Sequence, residues 1–159
     1  MTDTGTLCLN RAIKAAPDTV YDALIDPAAR SVWGPPGEGH VVLIEGQPDP
    51  APGVRETSRC GPSDNPYVTV LTDWVLMERP ARLVLAETLM AEGAPLGVSL
   101  ACYDVIDSAG GTDLTVTIQI VSFVGEEMLS EFEGGWTHAL DNFARYAEAQ
   151  AAPRKEPQK

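Results

Sequence analysis

The chain has 159 residues, of which 44% are hydrophobic and 21% are charged, and its net charge at pH 7 is −12. This length predicts a single domain, and this balance of residue types excludes a wholly disordered chain. Because double-stranded nucleic acid and anionic lipid surfaces repel so acidic a chain, we expect neither as a partner.

The cellular compartment is predicted from the first residues and from the cysteines. Residues 1–14 lack a basic stretch followed by an apolar one, so we expect no secretory signal. No run of residues is long and apolar enough to cross a membrane. Cys8, Cys60 and Cys102 are an odd number at wide spacings, which favours reduced thiols. The sequence therefore predicts a cytoplasmic protein without membrane insertion.

The beginning of the chain predicts one strand followed by two short helices. Residues 7–13 alternate between two sets of side chains, as the residues of a strand do. Pro17 suits the first turn of a helix, and apolar residues follow it at helical spacing as far as Asp26. A second short helix is predicted over residues 27–32, and the glycines and prolines of residues 34–37 end it.

The middle of the chain predicts about six strands. Residues 46–53 contain three prolines and are predicted to form a loop, because proline has no backbone donor for a sheet ladder. Apolar residues at positions 114, 116, 118 and 120 alternate with polar ones, which is typical of an antiparallel sheet with one wet face. The predicted strands cover residues 41–45, 54–60, 67–77, 82–89, 98–106 and 114–121.

A long amphipathic helix is predicted at the end of the chain, from Glu126 or Ser130 to Ala149. Its apolar stripe repeats at spacings of three and four and consists of Leu129, Phe132, Trp136, Leu140, Phe143 and Ala147. A sheet with one apolar face can bury that face by wrapping around such a helix. The predicted fold is therefore α+β, a helix grip in which a curved antiparallel sheet of about six to seven strands surrounds the C-terminal helix.

The last nine residues differ in composition from the rest of the chain. Residues 151–159 show no apolar period and include the basic residues Arg154, Lys155 and Lys159. We expect residues 1–150 to form one domain and residues 151–159 to be a disordered tail.

Four short segments carry a resemblance to a known family. They are residues 13–24, residues 33–35 beginning at Trp33, residues 78–83, and residues 133–136 ending at Trp136. In this order they resemble the START-like (SRPBCC) superfamily, and within it the family of the activator of Hsp90 ATPase homologues, specifically that activator's C-terminal domain. The resemblance implies a helix-grip fold, a cavity between sheet and helix, and a role in the stress response.

The chain departs from this family on the side where a ligand would lie. Its loop before the third strand is rich in proline, and only Gly53 remains where the family often has paired glycines. Ala86, Glu87 and Thr88 stand where relatives often carry an aromatic residue. We therefore expect the ligand side of the cavity to be distinctive.

The predicted binding site is the space between the sheet and the C-terminal helix. Concave apolar space with a few polar groups is the usual place for a small ligand. Glu87, His40 and Tyr67 are the first candidates for orienting the ligand, and the other residues would bury its apolar surface. The predicted ligand-binding residues are Trp33, His40, Tyr67, Glu87, Val116, Ile118, Phe132, Trp136 and Leu140.

Several of these features also have a simpler interpretation. Glu87 shares a strand face with leucines, where burial would raise its pKa, but a solvated strand end would leave it exposed. Gly134 and Gly135 each cost about 1 kcal/mol relative to alanine inside a helix. A ligand that approaches the backbone would explain them, and so would tight packing of the helix on the sheet. Trp33 and Trp136 fit either a cavity wall or an ordinary core.

The leading functional hypothesis is binding of a small hydrophobic or amphipathic molecule in this cavity. An enzyme with acid–base chemistry of the cyclase or hydrolase type ranks second, and a module that acts on an Hsp90-type chaperone ranks third. A homodimer also stays open. Two histidines and scattered cysteines give no recognisable zinc set, and neither a phosphate-binding loop nor a nucleophile elbow is present in the sequence. We therefore predict no metal, no cofactor and no catalytic residue.

Overall fold

The computed structural model describes residues 2–152. Seven strands form one antiparallel sheet in the order β1-β7-β6-β5-β4-β3-β2, with two short helices after β1 and one long helix at the end. The predicted helix grip is confirmed. The elements are β1 (Asp3–Ile13), α1 (Pro17–Ile25), α2 (Pro27–Trp33), β2 (His40–Ile44), β3 (Arg55–Pro62), β4 (Val68–Glu78), β5 (Arg82–Ala91), β6 (Ala94–Ser108), β7 (Gly111–Ser122) and α3 (Glu127–Ala151).

Both short helices begin at a proline. Pro17 opens α1 and Pro27 opens α2, where the missing backbone donor leaves no helical hydrogen bond unmade. Asp26 lies between the two helices, and its side chain accepts a hydrogen bond from the backbone NH of Ala28 at 3.3 Å. The two helices therefore follow each other directly, and α1 approaches β6 and β7 whereas α2 approaches β2.

The long helix α3 lies inside the curve of the sheet. Its buried residues are Ala139, Leu140, Phe143 and Ala147, all in its second half. The helix approaches β1, β7, α1 and α2. It continues through Ala151, one residue beyond the predicted domain end, and residues 153–159 of the predicted tail lie outside the described residues.

The inner face of the sheet is set by strand alternation. In β7, Leu114, Val116, Ile118 and Ile120 are all at most 2% exposed, as their alternation with polar residues predicted. The strand pairing aligns Trp74, Leu85, Ala101 and Ile118 across β4, β5, β6 and β7. This apolar level of the sheet faces the helices and forms the main core.

Candidate functional site

A cavity of about 500 Å³ lies beside the core, between α2, the first half of α3 and the inner face of β2–β6. This volume falls within the range of about 300–1,000 Å³ that is common for small-molecule sites. Tyr67, His40 and Glu131 are exposed residues of its wall and mark its mouth. Its aliphatic walls are formed by Leu24, Val41, Val42, Val68, Val70, Leu85, Leu89, Leu96, Met128 and Ala139.

Six of the nine predicted ligand-binding residues lie on this cavity. The other three, Val116, Ile118 and Leu140, are at most 1% exposed and belong to the solid core. They face inward as the pattern indicated and are not part of the cavity lining. The six cavity residues are Trp33, His40, Tyr67, Glu87, Phe132 and Trp136.

A row of polar side chains crosses the inner face of the sheet next to the apolar level. Strand pairing places Glu56 opposite Thr72, Thr72 opposite Glu87, and Glu87 opposite Ser99. We call Glu56, Thr72, Glu87 and Ser99 the polar row. Neighbouring strands are about 4.8 Å apart, so these side chains are brought close together by the backbone ladder itself. Glu56, Thr72 and Ser99 are at most 2% exposed.

The first member of the row is held by an arginine from α2. Arg30 donates two hydrogen bonds to the Glu56 carboxylate, one of them 2.8 Å long between Nη1 and Oε1. The Glu56 side chain is fully buried, and that of Arg30 is 14% exposed. The Arg30 guanidinium also lies over the Trp74 ring, 5.0 Å from its centroid. The buried Glu56 carboxylate is thus neutralised by Arg30, whose guanidinium is held by Glu56 on one side and by the Trp74 ring on the other.

Glu87 has no comparable partner. Among residues 2–152, no arginine or lysine forms an ion pair with its carboxyl group. Its partial exposure is to the cavity that it lines. Burial raises the pKa of Glu87, the positive charge of Arg30 opposes this shift, and the negative charge of Glu56 adds to it. The structure therefore contradicts the simpler interpretation of a solvated strand end.

Two further titratable groups face the same space. Burial raises the pKa of the Tyr103 hydroxyl, and the nearby charge of Glu87 raises it further. Burial and Glu87 together raise the pKa of the Cys60 thiol to about 11. Cys60 is therefore a neutral thiol near pH 7 and lacks the thiolate that a cysteine nucleophile requires. At this end, the cavity offers hydroxyl, thiol and carboxyl groups as hydrogen-bonding partners.

The aromatic wall joins the cavity to the core. Trp33 donates a hydrogen bond from Nε1 to the backbone oxygen of Ala23 at 2.9 Å, and its ring meets Phe143 edge-on at 5.0 Å. Trp136 lies between Tyr103 and Phe132, with both ring centroids 6.1 Å away. Such contacts hold the rings in place. Trp33 lines the cavity and also belongs to the buried core, so both interpretations of this residue apply.

The chain matches one protein-family model over residues 7–148, and the family is described as "Polyketide cyclase / dehydrase and lipid transport". The match covers most of the chain and all the elements that enclose the cavity. The chain belongs to this family, within the START-like (SRPBCC) superfamily. No curated protein is significantly similar to this family member in sequence.

Solved structures of bacterial proteins have the same fold. A Rhizobium loti protein shares 25% identity with this family member, with a TM-score of 0.80 over 92% of this chain and 99% of its own. A Chromobacterium violaceum protein shares 22% identity, with a TM-score of 0.79 over 90% and 96%. An AHSA1-like protein of Aeromonas hydrophila shares 18% identity, with a TM-score of 0.65 over 98% and 100%. The predicted likeness to Hsp90-activator homologues is thus supported at the level of the fold.

One glycine of the pair in α3 gives this family member room at the cavity. A Cβ atom added at Gly134 or at Gly135 would meet no other atom within 4 Å. Tight packing of the helix on the sheet therefore does not explain either glycine. Gly135 lines the cavity and Gly134 is exposed on the helix surface, so only Gly135 widens the enclosed space.

Sequence reasoning missed the residues that make one end of the cavity polar. Arg30, Glu56 and Tyr103 were not among the predicted site residues. Arg55, the sequence neighbour of Glu56, binds Asp73 on an exposed face, at 2.8 and 3.0 Å. The alternation of side chains in β3 could have identified Glu56, because it places Glu56 on the face of the strand opposite to Arg55.

The described residues restrict the chemistry further. Residues 2–152 contain no group of three or more histidine, cysteine, aspartate or glutamate side chains arranged to hold a metal ion. In the same range, no helix has both the length and the apolar character needed to span a bilayer.

Proposed function

We propose that this protein binds a small apolar or amphipathic molecule in the cavity between its sheet and its C-terminal helix. The observation that carries the proposal is the cavity itself, about 500 Å³ in volume and lined mainly by aliphatic and aromatic side chains. Burial of apolar ligand surface contributes roughly 25 cal/mol per Å², so such walls favour an apolar guest. The family's description, which includes lipid transport, supports the same proposal.

Gly135 supports the proposal from a second direction. A glycine inside a helix costs about 1 kcal/mol relative to alanine. No neighbouring atom requires it here, since an added Cβ would meet open space. We propose that Gly135 is tolerated because it leaves the cavity wide enough for a ligand to reach the helix backbone.

A cavity-filling substitution tests this proposal. The neutral fluorescent probe N-phenyl-naphthylamine should bind the wild-type protein, with fluorescence enhancement and a higher melting temperature. Gly135→Leu should weaken its binding at least about tenfold, since the leucine side chain would occupy volume that the probe needs. Gly134→Leu, on the exposed helix surface, is the matched control and should bind the probe as the wild type does. Equal affinity in both variants, or no binding to the wild type, contradicts the proposal.

A second candidate is an enzyme that transfers protons within the cavity. The observation that favours it is the polar row together with Tyr103, in which Glu87 has a raised pKa because of burial. A buried carboxyl group with a raised pKa can act as a general acid or base. The test is mass spectrometry of cavity ligands after incubation. An enzyme would change the ligand's mass or isomer, and Glu87→Gln would abolish the change while leaving folding intact.

The proposed location is the cytoplasm. The three cysteines are free thiols in the structure, as expected for a reducing compartment. The homodimer and the chaperone partner stay predictions of the sequence, and size-exclusion chromatography and a chaperone pull-down would test them.

A further inference from the structure

The polar end of the cavity carries information about the chemistry of its ligand. Three charged side chains meet there, namely Arg30, Glu56 and Glu87. Arg30 is already committed to Glu56 by two hydrogen bonds and lies over Trp74. Their charges compensate each other, so the charge that a ligand meets is decided by Glu87 alone.

An anionic head group would find no free counter-charge in this cavity. Among the described residues of its lining, Arg30 is the one with a permanent positive charge, and it is paired. A carboxylate or phosphate entering the cavity would lie near Glu87 and Glu56 and would lose its hydration shell. The cavity therefore disfavours fatty acids and phosphorylated lipids as ligands.

A cationic head group would instead find three favourable features. Glu87 is an unpaired carboxyl group that faces the cavity, and an ammonium could donate charge-assisted hydrogen bonds to it. Tyr103 and Trp136 line the cavity, and the faces of aromatic rings attract cations. Glu131 lies at the mouth, and the whole chain carries a net charge of −12, which steers cations towards the protein.

We propose that the ligand is an apolar molecule with a protonated amine, and that Glu87 binds this amine as a carboxylate. This inference rests on the proposed binding function and specifies its ligand class. The apolar body of the ligand would lie against the aliphatic and aromatic walls. The amine would replace water around Glu87, which in the empty protein has no positive partner of its own.

The proposed contact between Glu87 and an amine also predicts a pH dependence of binding. Burial raises the pKa of Glu87 in the empty protein, so binding of an ammonium must displace a proton wherever Glu87 is protonated. Affinity for an amine should therefore rise with pH through the raised pKa of Glu87, while affinity for a neutral alcohol should not. The other charged and titratable groups that line this space are Arg30, Cys60, Tyr103 and, at the mouth, His40, Tyr67 and Glu131, and Glu56 lies behind Arg30 as its partner.

Three compounds with the same ring system test the inference. Naphthylmethylamine, naphthylmethanol and naphthoate, all substituted at the same ring carbon, differ in one charged or neutral group. Calorimetry on the full chain at neutral pH should give affinity in the order amine, alcohol, carboxylate. A charge-assisted hydrogen bond corresponds to about a ten- to hundredfold preference for the amine over the alcohol.

Glu87→Gln keeps the shape of the side chain and removes its charge. In this variant the affinity for the amine should fall to within about threefold of the affinity for the alcohol. The pH dependence of amine binding should also disappear. Glu133→Gln changes the net charge equally on the exposed side of α3 and should keep the preference. Urea unfolding and circular dichroism verify that both variants are folded.

The possible outcomes separate the ligand class from the binding function. An alcohol or carboxylate that binds the wild type as tightly as the amine overturns the inference and leaves the cavity function standing. A Glu87→Gln variant that keeps the amine preference also overturns the role of Glu87. If none of the three compounds and no N-phenyl-naphthylamine binds, the proposed function itself fails.

Discussion

The two halves of the inner sheet face differ in what covers them. In one half, Val116 and Ile118 of β7 lie with Leu140 and Phe143 of α3 in a core from which solvent is excluded. In the other half, the polar row begins next to the cavity, and Glu87 faces open space. Both halves belong to one continuous sheet, so the difference comes from the helix. All the buried residues of α3 lie from Ala139 onwards, whereas its first half lines the cavity and is interrupted by two glycines.

Stability and the proposed binding therefore depend on different side chains of the same elements. The solid half supplies close-packed apolar contacts, which are the main stabilising contribution in a domain of this size. The hollow half contains a buried ion pair and an unpartnered carboxyl group, which contribute little or negatively to stability. We expect substitutions in the two halves to have separable effects.

The largest expected effect is in the solid half. Phe143→Ala should destabilise the fold by about 3–5 kcal/mol, because Phe143 is fully buried and its removal leaves a void beside Trp33. Phe132→Ala is the matched change in the hollow half, where the ring is only partly buried. It should cost clearly less stability and should weaken binding of N-phenyl-naphthylamine. Urea unfolding measures both costs, and equal costs would remove the distinction between the halves.

The second effect concerns the ion pair of the polar row. Glu56→Gln should destabilise the protein by roughly 3 kcal/mol or more, because it leaves the Arg30 charge uncompensated and largely buried. The double variant Arg30→Met/Glu56→Leu should recover most of this loss, since two apolar side chains need no partner. Thermal and urea unfolding of the single and double variants form the test. A double variant as unstable as Glu56→Gln would contradict the explanation.

The third effect is a pH dependence of stability. Because burial raises the pKa of Glu87, the native protein binds more protons than the unfolded chain between the ordinary and the raised pKa values. Wild-type stability contributed by this site is therefore present at low pH and is lost as pH rises through the raised pKa. Glu87→Gln lacks this loss, so its stability relative to the wild type should increase with pH. Urea unfolding from about pH 4 to about pH 8 measures this difference in unfolding free energy.

Glu133→Gln serves as the control for the change in net charge. A difference between Glu87→Gln and the wild type that does not vary with pH would contradict the burial of Glu87.

The smallest effect is a gain. Gly135→Ala and Gly134→Ala should each stabilise the protein by about 1 kcal/mol, because alanine favours the helix and meets no clash at either position. The two variants should differ in binding, since only the methyl group at position 135 reduces the cavity. Unfolding curves with and without N-phenyl-naphthylamine measure both quantities. A loss of stability on Gly135→Ala would show that the helix backbone there is contacted or bent.

The sequence predicted the fold because its signals are local and periodic. Alternation in β7 and the helical stripe of α3 each identify an element and its buried face. The same signals cannot tell what lies above a buried face. Val116 and Ile118 were therefore predicted on the same grounds as any other inward residue, and only the three-dimensional arrangement separates them from Leu85, which lines the cavity.

The polar row was less predictable because it depends on strand register. Glu87 was identified as a carboxyl group on an apolar face, but its neighbours Thr72 and Ser99 come from strands whose alignment no local pattern reveals. Arg30 was missed because it lies on a helix of only seven residues, too short for a clear apolar period. Long-range pairing, rather than residue type, decides the composition of this site.

The position of the polar row on four adjacent strands also has a consequence for protein engineering. Each strand presents one inward side chain at this level, and hydrogen bonds between backbones hold the four positions in place. Ligand specificity could thus be changed by substituting one or two of these side chains, without altering the backbone hydrogen bonds and the core that keep the chain folded. A small library confined to positions 72 and 87, which both line the cavity, would test many head-group chemistries on one backbone.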